Sequence, residues 1–278
     1  MSFSPEWLAL REAVDHRSRS AALAAEVRQH FAGRSLIRIA DLGCGTGSNL
    51  RASYALYPPR QEWLLIDHDP ALLIAAREAI QDWADRFRPG DGLIQIVKDT
   101  FDITVRFAQA DLAKDLPKVL AGRHDLITAS ALFDLVSEDW TRHLAAGAKA
   151  AGTAFYTVLT YDGRDAFSPP HPLDEEVLRA FGRHQRQDKG LGIAAGPDSA
   201  AMLMRVFSGE GFFVSEGDSP WQLGTADAAL AKALLPGIAA AVRETGEVAE
   251  AAVDDWLTFR LSIAGDGIVI GHTDTFAR

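Results

Sequence analysis

The chain has 278 residues, of which 47% are hydrophobic and 24% are charged, and this is enough for one large domain with a buried core. Lys and Arg number 28 against 38 Asp and Glu, so the net charge of −10 argues against a broad basic surface for nucleic acid. The single cysteine, Cys44, excludes an internal disulfide and a cysteine-rich zinc site, and it favours a reducing cytoplasm. The first residues lack the apolar core of a secretion signal, and we expect no apolar run to span a membrane.

The predicted elements begin with two helices between Ser4 and Phe31, where alanine and leucine recur at helical spacing. The apolar segment LIRIADLG predicts a buried strand, GCGTGSN a loop, and the following residues a helix stopped by Pro58 and Pro59. A second strand, QEWLLIDHD, and a second helix that runs to Phe87 complete a βαβ unit.

Two alternating segments, LIQIVKD and ITVRFAQADL, predict a hairpin that leads into a third core strand. The segments HDLITASAL and TAFYTVLTY predict the fourth and fifth strands. Because helices alternate with these strands, the sequence predicts a doubly wound, mostly parallel α/β sheet.

The alternation ends between Asp162 and Gly196, where prolines, glycines and a basic cluster surround one predicted helix. This segment has the composition of an insertion. Beyond it we predict a helix at 198–208, a strand at 212–215, two alanine-rich helices at about 226–243 and 247–262, and a last strand, GIVIGHT.

The glycine-rich loop predicts a ligand close to the backbone, because glycine has no Cβ and the amides of a helix N-terminus are exposed there. A phosphate-binding P-loop needs Lys and then Ser or Thr after the glycines, whereas Ser48 and Asn49 follow here. The dinucleotide fingerprint is G-x-G-x-x-G, but Gly43, Gly45 and Gly47 are spaced G-x-G-x-G. A nicotinamide-dependent oxidoreductase is retained as an alternative.

The stretch DLGCGTG, residues 41–47, resembles the first motif of class I S-adenosylmethionine-dependent methyltransferases. The resemblance covers about residues 36–161 and implies a seven-stranded Rossmann-like sheet that binds S-adenosyl-L-methionine. It implies that Asp67, which ends the second strand, accepts hydrogen bonds from the ribose hydroxyls and that Asp111 faces the adenine amino group. The implied cofactor contacts are Asp41, Gly43, Cys44, Gly45, Gly47, Asp67, His68, Asp111, Leu112 and Ser130.

The methyl acceptor must be selected by residues outside these motifs, and parallel sheets bind ligands at the carboxyl ends of their strands. The basic residues after the fifth strand could hold an anionic group, although basic loops are often simply solvated. His184 is a candidate general base, or else a histidine at a solvated helix end. The candidate catalytic residues are His184, Tyr161 and Asp134, and the candidate acceptor contacts are Phe133, Arg164, Arg186 and Lys189.

Several residues have two interpretations from the sequence alone. Arg17 or Arg19 could reach the cofactor carboxylate, or could lie on an exposed helix face. Trp221 could stack on an acceptor or pack in the core. The glycines of 162–196 suit a mobile lid as well as an ordinary surface loop. No spacing of histidines and carboxylates predicts a metal site.

The sequence therefore predicts a helical cap at 1–35, a cofactor-binding core at 36–161, a substrate or lid insertion at 162–196, and the rest of the core with two added helices at 197–278. The predicted function is methyl transfer from S-adenosyl-L-methionine to a small-molecule acceptor. The alternatives are a nicotinamide oxidoreductase, a non-catalytic S-adenosylmethionine-binding protein, and aminopropyl transfer, which the mixed basic loop disfavours. The acceptor and the oligomeric state are left open.

Overall fold

The computed structural model describes residues 3–263 and 267–278, and most strands of this part of the chain form one large sheet. The strands of that sheet are β1 (Ile37–Leu42), β2 (Arg60–Asp67), β3 (Arg86–Gly90), β4 (Leu93–Lys98), β5 (Phe101–Gln109), β6 (Leu126–Ser130), β7 (Ala154–Tyr161), β9 (Val214–Asp218) and β12 (His272–Ala277). A second, small antiparallel sheet contains β8 (Ala166–Phe167), β10 (Trp221–Leu223) and β11 (Ile268–Ile270).

The helices pack on both faces of the large sheet and in a layer beside it. They are α1 (Pro5–Ser18), α2 (Ala21–Phe31), α3 (Ser48–Ser53), α4 (Pro70–Trp83), α5 (Leu112–Leu120), α6 (Glu138–Ala151), α7 (Asp174–Gln185), α8 (Ser199–Gly209), α9 (Ala228–Thr245) and α10 (Glu250–Ser262). Several begin at side chains that accept a backbone N–H, as the capping preferences of Ser and Asp require. Ser4 accepts from Trp7 N, and Asp69 accepts from Ala71 N.

The strand order of the large sheet is β3-β4-β5-β2-β1-β6-β7-β12-β9. Strands β5, β2, β1, β6 and β7 are parallel, and β12 runs antiparallel between β7 and β9. The doubly wound, mostly parallel sheet predicted from the sequence is therefore confirmed. The antiparallel hairpin of β3 and β4 extends it beyond β5, which gives two strands more than the seven expected.

The second predicted helix is shorter than expected, because α4 ends at Trp83 and Arg86–Gly90 form strand β3. Phe87 packs against the core while Arg86 and Arg88 are exposed, which is the two-residue period of a strand. Pro89 lacks an N–H and is tolerated on an edge strand, whereas it would disrupt a helix interior.

The last core strand also differs from the expectation. The apolar residues Ile268–Ile270 belong to the small sheet, and His272–Ala277 form the strand between β7 and β9. The chain changes sheets at Gly271, where a Cβ would lie 2.2 Å from Asp162 Oδ1. The polar residues of β12 gave no strand pattern in the sequence. The most polar of them, Asp274, is buried with its carboxylate paired, because it accepts from Leu159 N and Ser20 N, each at 2.8 Å.

Within the described residues, Thr225–Thr245 is the one helical stretch that is long and apolar enough to cross a membrane by length and composition. By length and composition, the expectation that no apolar run could span a membrane is therefore wrong. Helix α9 packs against α7 and α10 and buries Leu235, Ile238 and Val242, so core packing accounts for its apolar composition.

Candidate cofactor site and active site

The glycine turn follows β1 with all three glycines in the left-handed backbone region. The φ angles of Gly43, Gly45 and Gly47 are 62°, 52° and 74°. Cys44 N donates to Ile66 O of β2 at 2.9 Å, so the turn is anchored on the neighbouring strand. A Cβ at Gly45 would lie 3.0 Å from Leu8 Cδ1 of α1. Both the φ angle and the close approach of α1 therefore require glycine at position 45.

Asp67 faces this turn from the carboxyl end of β2, with its side chain only 6% exposed. Its Oδ2 accepts from Gly45 N at 2.9 Å, and its Oδ1 accepts from Asp69 N at 3.0 Å. His68 Nδ1 lies 3.3 Å from Oδ1. Because an ionised carboxylate offers about four acceptor positions, Asp67 can accept further hydrogen bonds from a ligand.

A buried polar cluster supports the turn from behind. Asn49 Nδ2 donates to Asp41 Oδ1 at 2.7 Å and to Thr128 Oγ1 at 3.1 Å, while Arg19 Nη1 donates to Asn49 Oδ1 at 2.9 Å. Burial raises the pKa of Asp41 to about 7. Asp41 Oδ2 and Arg19 Nε and Nη2 are buried without a partner among the described residues. One carboxylate and one guanidinium thus have hydrogen-bonding capacity left beside the turn.

A cavity of about 140 Å³ lies between the turn, the end of β6 and α1. The first residue after β6, Ala131, has a φ of 51°, a strained conformation at the cavity wall. The lining from the core is Gly43, Cys44, Gly45, Thr46, Ser48, Asn49, Asp67, His68, Leu72, Ser130, Ala131, Leu132 and Leu135. The lining from the N-terminal segment is Phe3, Leu8, Arg11 and Asp15.

Helix α1 is held on the glycine turn by polar contacts. Arg51 Nη2 donates to both carboxylate oxygens of Glu12 at 2.7 Å, and Arg51 Nη1 donates to Thr46 O at 2.7 Å. His16 Nε2 lies 2.9 Å from Ser48 Oγ. The N-terminal helix thus forms the outer wall of the cavity.

Arg11, Asp15 and Trp221 form a second polar cluster at the side of the cavity that faces α1. Arg11 Nε donates to Asp15 Oδ2 at 2.8 Å, and its guanidinium carbon lies 4.8 Å from the centre of a Trp221 ring. Trp221 Nε1 donates to Asp15 Oδ1 at 3.0 Å. Trp221 is thereby a buried packing residue with a satisfied N–H.

The candidate catalytic residues Asp134 and Tyr161 do not line the cavity but lie close to it: Asp134 is near Arg11, and the rings of Tyr161 and Trp221 both contact His272. Burial raises the pKa of Asp134 to about 6, and the charge of Arg11 opposes that shift. Tyr161 Oη donates to Asp165 Oδ2 at 2.5 Å, and burial raises the pKa of Asp165 to about 6. Asp15 and Asp165 were not singled out from the sequence, because isolated aspartates in polar stretches have no distinctive pattern.

Only some of the cofactor contacts predicted from the sequence line the cavity. Asp41 and Gly47 lie behind the cavity wall, and burial raises the pKa of the Cys44 thiol, which keeps that thiol protonated. Asp111 is 44% exposed, accepts from Ala113 N at 3.0 Å and pairs with Lys114 at 2.7 Å. Leu112 is buried in the core. Those that line the cavity are Gly43, Cys44, Gly45, Asp67, His68 and Ser130.

The acceptor contacts predicted from the sequence are not assembled around this cavity. Phe133 is fully buried and packs against Trp140 and Phe155, so the expectation that it lines the mouth is wrong. Arg164 Nη2 donates to Asp162 and Asp218 beside the small sheet. Arg186 Nε donates to Asp198 at 2.8 Å, and Lys189 lies in the loop after α7.

His184 is in the helical layer, where its Nε2 lies 2.9 Å from Glu244 Oε2 of α9. It is 9% exposed and does not line the cavity, so the geometry gives it a packing contact between α7 and α9. No residue of 162–196 lines the cavity in the described part of the chain. Among residues 3–263 and 267–278, no group of three or more His, Cys, Asp or Glu side chains is arranged to hold a metal ion.

No protein-family model and no curated protein matches this sequence. Solved structures do match its fold. A cyclopropane-fatty-acyl-phospholipid synthase-like protein from Lactobacillus casei is 17% identical, with a TM-score of 0.51 over 96% of this chain and 90% of its own. The chain has the class I methyltransferase fold.

Two further solved structures are similar to this chain at lower TM-scores. The cyclopropane synthase MmaA2 of Mycobacterium tuberculosis is 13% identical, with a TM-score of 0.49 over 92% of this chain and 83% of its own. A phosphoethanolamine N-methyltransferase of Haemonchus contortus, solved with S-adenosylhomocysteine, is 14% identical, with a TM-score of 0.42 over 92% of this chain and 52% of its own.

Proposed function

We propose that this chain is an S-adenosylmethionine-dependent methyltransferase that acts on a small molecule. The observation that best supports this proposal is the position of the Asp67 carboxylate. Its Oδ2 lies 2.9 Å from Gly45 N, at the carboxyl ends of two adjacent parallel strands. In an open α/β sheet this edge is where ligands bind. A cytoplasmic location, favoured by the single cysteine, belongs to the same proposal.

The residues present fit the cofactor. Asp67 has acceptor capacity for ribose hydroxyls, and Gly45 leaves the backbone open to the cavity. Behind the cavity wall, the unpaired Arg19 N–H groups and Asp41 Oδ2 supply the charges that would complement the carboxylate and ammonium of an amino acid. His68 and the exposed Asp111 are the proposed adenine contacts. S-Adenosyl-L-methionine supplies a methyl group already activated by the sulfonium, so the protein mainly aligns donor and acceptor.

The cofactor requires more room than the cavity offers. Ligand pockets usually measure roughly 300–1,000 Å³, whereas this cavity has about 140 Å³. Leu8, Arg11 and Asp15 of α1 form its outer wall, so we propose that α1 moves outward to admit the cofactor and then closes over it. The 162–196 segment remains a second candidate for a lid on the acceptor side.

Asp134 is the proposed general base. A carboxyl with a pKa of about 6 is ionised at neutral pH and can take the proton of a hydroxyl or ammonium acceptor. Methyl transfer through Asp134 should rise with pH through about 6 and then level off. Tyr161 donates to Asp165 and would orient the acceptor rather than deprotonate it.

The first test is calorimetric titration of the purified chain with S-adenosylhomocysteine and, separately, with NAD. We expect micromolar binding of S-adenosylhomocysteine and a loss of roughly 100-fold in Asp67→Asn, since two hydrogen bonds to a charged group are weakened. Asp125→Asn is the matched control, because Asp125 accepts from Arg38 N at the opposite end of the sheet. Its affinity should equal that of the unmodified chain.

The alternatives predict other results. Binding of NAD without S-adenosylhomocysteine would overturn the proposal in favour of an oxidoreductase. S-Adenosylhomocysteine binding without methyl transfer from labelled S-adenosyl-L-methionine to any of a broad acceptor panel would favour a non-catalytic binding protein. If an acceptor is found, Asp134→Asn should remove the rise of activity near pH 6.

A further inference from the structure

A second surface feature lies at the opposite end of the large sheet from the glycine turn. There, one face of β3, β4, β5 and β2 forms an open groove of about 820 Å³. Strand β2 runs from Arg60 in this groove to Asp67 at the cavity, about 23 Å at the rise of a strand. The groove is therefore separate from the proposed cofactor site.

The strand register places arginines across this face in rows. One row reads Arg86, Val97, Asp102 and Arg60, because each residue is the Cα partner of the next. The next row reads Arg88, Gln95, Thr104 and Glu62 by the same pairing, and a third row contains Arg106 opposite Leu93. Alternating residues of a strand share a face, so these side chains point the same way.

Four arginines on this face of the sheet have no ion-pair partners in the described part of the chain. Arg60, Arg86 and Arg88 line the groove, and Arg106 lies beyond its lining on the same face of the sheet. All four are exposed, and none has a side-chain hydrogen bond or ion pair among the described residues. Glu62 is already paired with Arg38 at 3.3 Å, which leaves Asp102 as the opposing charge. A local excess of positive charge on a chain of net charge −10 indicates an anionic partner.

Two kinds of partner fit this face poorly. A symmetric contact with a second copy would bring the arginine rows against each other. A nucleic acid would find only four free arginines, whereas tight phosphate binding uses roughly 6–10 contacts. Among the described residues that line the groove, the one aromatic residue is Phe87, whose ring packs toward the core on the opposite face and is not offered for stacking.

The uncovered face of the sheet indicates the shape of the partner that would fit the groove. In a doubly wound sheet helices cover both faces, yet this part of the sheet is bare. Between Arg86 and Arg60 lie three strand spacings, about 14 Å, which is wide enough for one helix about 10–12 Å in diameter. We propose that this groove docks an acidic helix of a partner protein, which completes the missing layer and pairs carboxylates with the free arginines.

The proposal can be tested with a synthetic helical peptide of about four turns that carries Glu at i, i+3, i+4 and i+7 on one face. Its binding to the full chain is followed by fluorescence anisotropy at low and physiological salt. The double variant Arg86→Glu, Arg88→Glu should weaken binding at least tenfold. The matched control is Arg28→Glu with Arg77→Glu, which makes the same charge change on exposed positions of α2 and α4 and should leave binding within twofold.

The outcomes separate this proposal from its rivals. Equal binding of a peptide with Gln in place of Glu, or no binding of the Glu peptide, would overturn it. Tighter binding of a short duplex DNA, lost in the same double variant, would assign the face to a phosphate backbone instead. S-Adenosylhomocysteine titration of each variant checks folding and shows that the cofactor site is independent. If the double variant does not fold, Arg88→Gln should still weaken peptide binding severalfold.

Discussion

Helix α1 and helix α7 both lie outside the sheet, but they are attached to it in different ways. α1 buries only Val14 and Asp15, and it is held on the glycine turn by the Glu12–Arg51 pair and neighbouring polar contacts. α7 buries residues of one face against α9. A helix attached by polar contacts can open at low cost, whereas one with a buried apolar face cannot. The difference identifies α1 as the proposed gate.

The largest expected difference between the α1 side of the cavity and the 162–196 segment that contains α7 is in ligand binding after glycine substitution. Gly45→Val should abolish S-adenosylhomocysteine binding, because the side chain would meet Leu8 and fill the cavity at a φ of 52°. Gly192→Val, in the 162–196 segment with a φ of 83°, should cost about 1–3 kcal/mol of stability but leave binding intact. Calorimetry and urea unfolding measure both quantities. Loss of binding in Gly192→Val would show that the two regions are not distinct.

The next effect concerns the buried carboxyl behind the turn. Asp41 has a pKa of about 7 in the folded chain, against roughly 3.9 when unfolded. The folded state therefore binds more protons between these values, so the contribution of Asp41 to stability falls as the pH rises from about 4 to about 7.

Asp41→Asn removes this penalty while it keeps the side-chain shape. We expect the variant to gain about 2–4 kcal/mol over the unmodified chain at pH 8 but only about 1 kcal/mol near pH 4.5. Urea unfolding at the two pH values gives the difference. An equal gain at both would mean that Asp41 is not protonated on folding.

A smaller effect should follow when α1 is loosened. Arg51→Gln removes the ion pair with Glu12, so the amides of α1 should exchange about tenfold faster and S-adenosylhomocysteine should associate faster. Arg183→Gln is the matched control in α7, where Arg183 pairs with Glu247. It should leave α1 exchange unchanged. Unchanged exchange in Arg51→Gln would contradict the role of α1 as the gate.

The smallest effect is expected at His184. Its ring contacts Glu244 in the helical layer, so His184→Gln should alter stability by about 1 kcal/mol or less and leave S-adenosylhomocysteine affinity within twofold. Should methyl transfer be lost while folding is preserved, His184 would return as a general base and the 162–196 segment as part of the active site.

The sequence alone predicted the parallel sheet, the glycine turn and the position of Asp67. These follow from local patterns: apolar runs of strand length, three glycines at positive φ in the turn after β1, and one βαβ spacing between Gly47 and Asp67. Such features depend on neighbours in the chain, so they can be identified before the fold is known.

Only the tertiary structure decided which distant side chains meet. The charges of α1 are typical of a solvated helix face, yet Glu12 and Arg19 are bound to residues of α3. β12 is polar, yet it is buried, and its carboxylate Asp274 accepts from Ser20 N directly before α2 and from Leu159 N of β7. The physical reason is that burial and pairing between elements far apart in the sequence leave no periodic trace in either element.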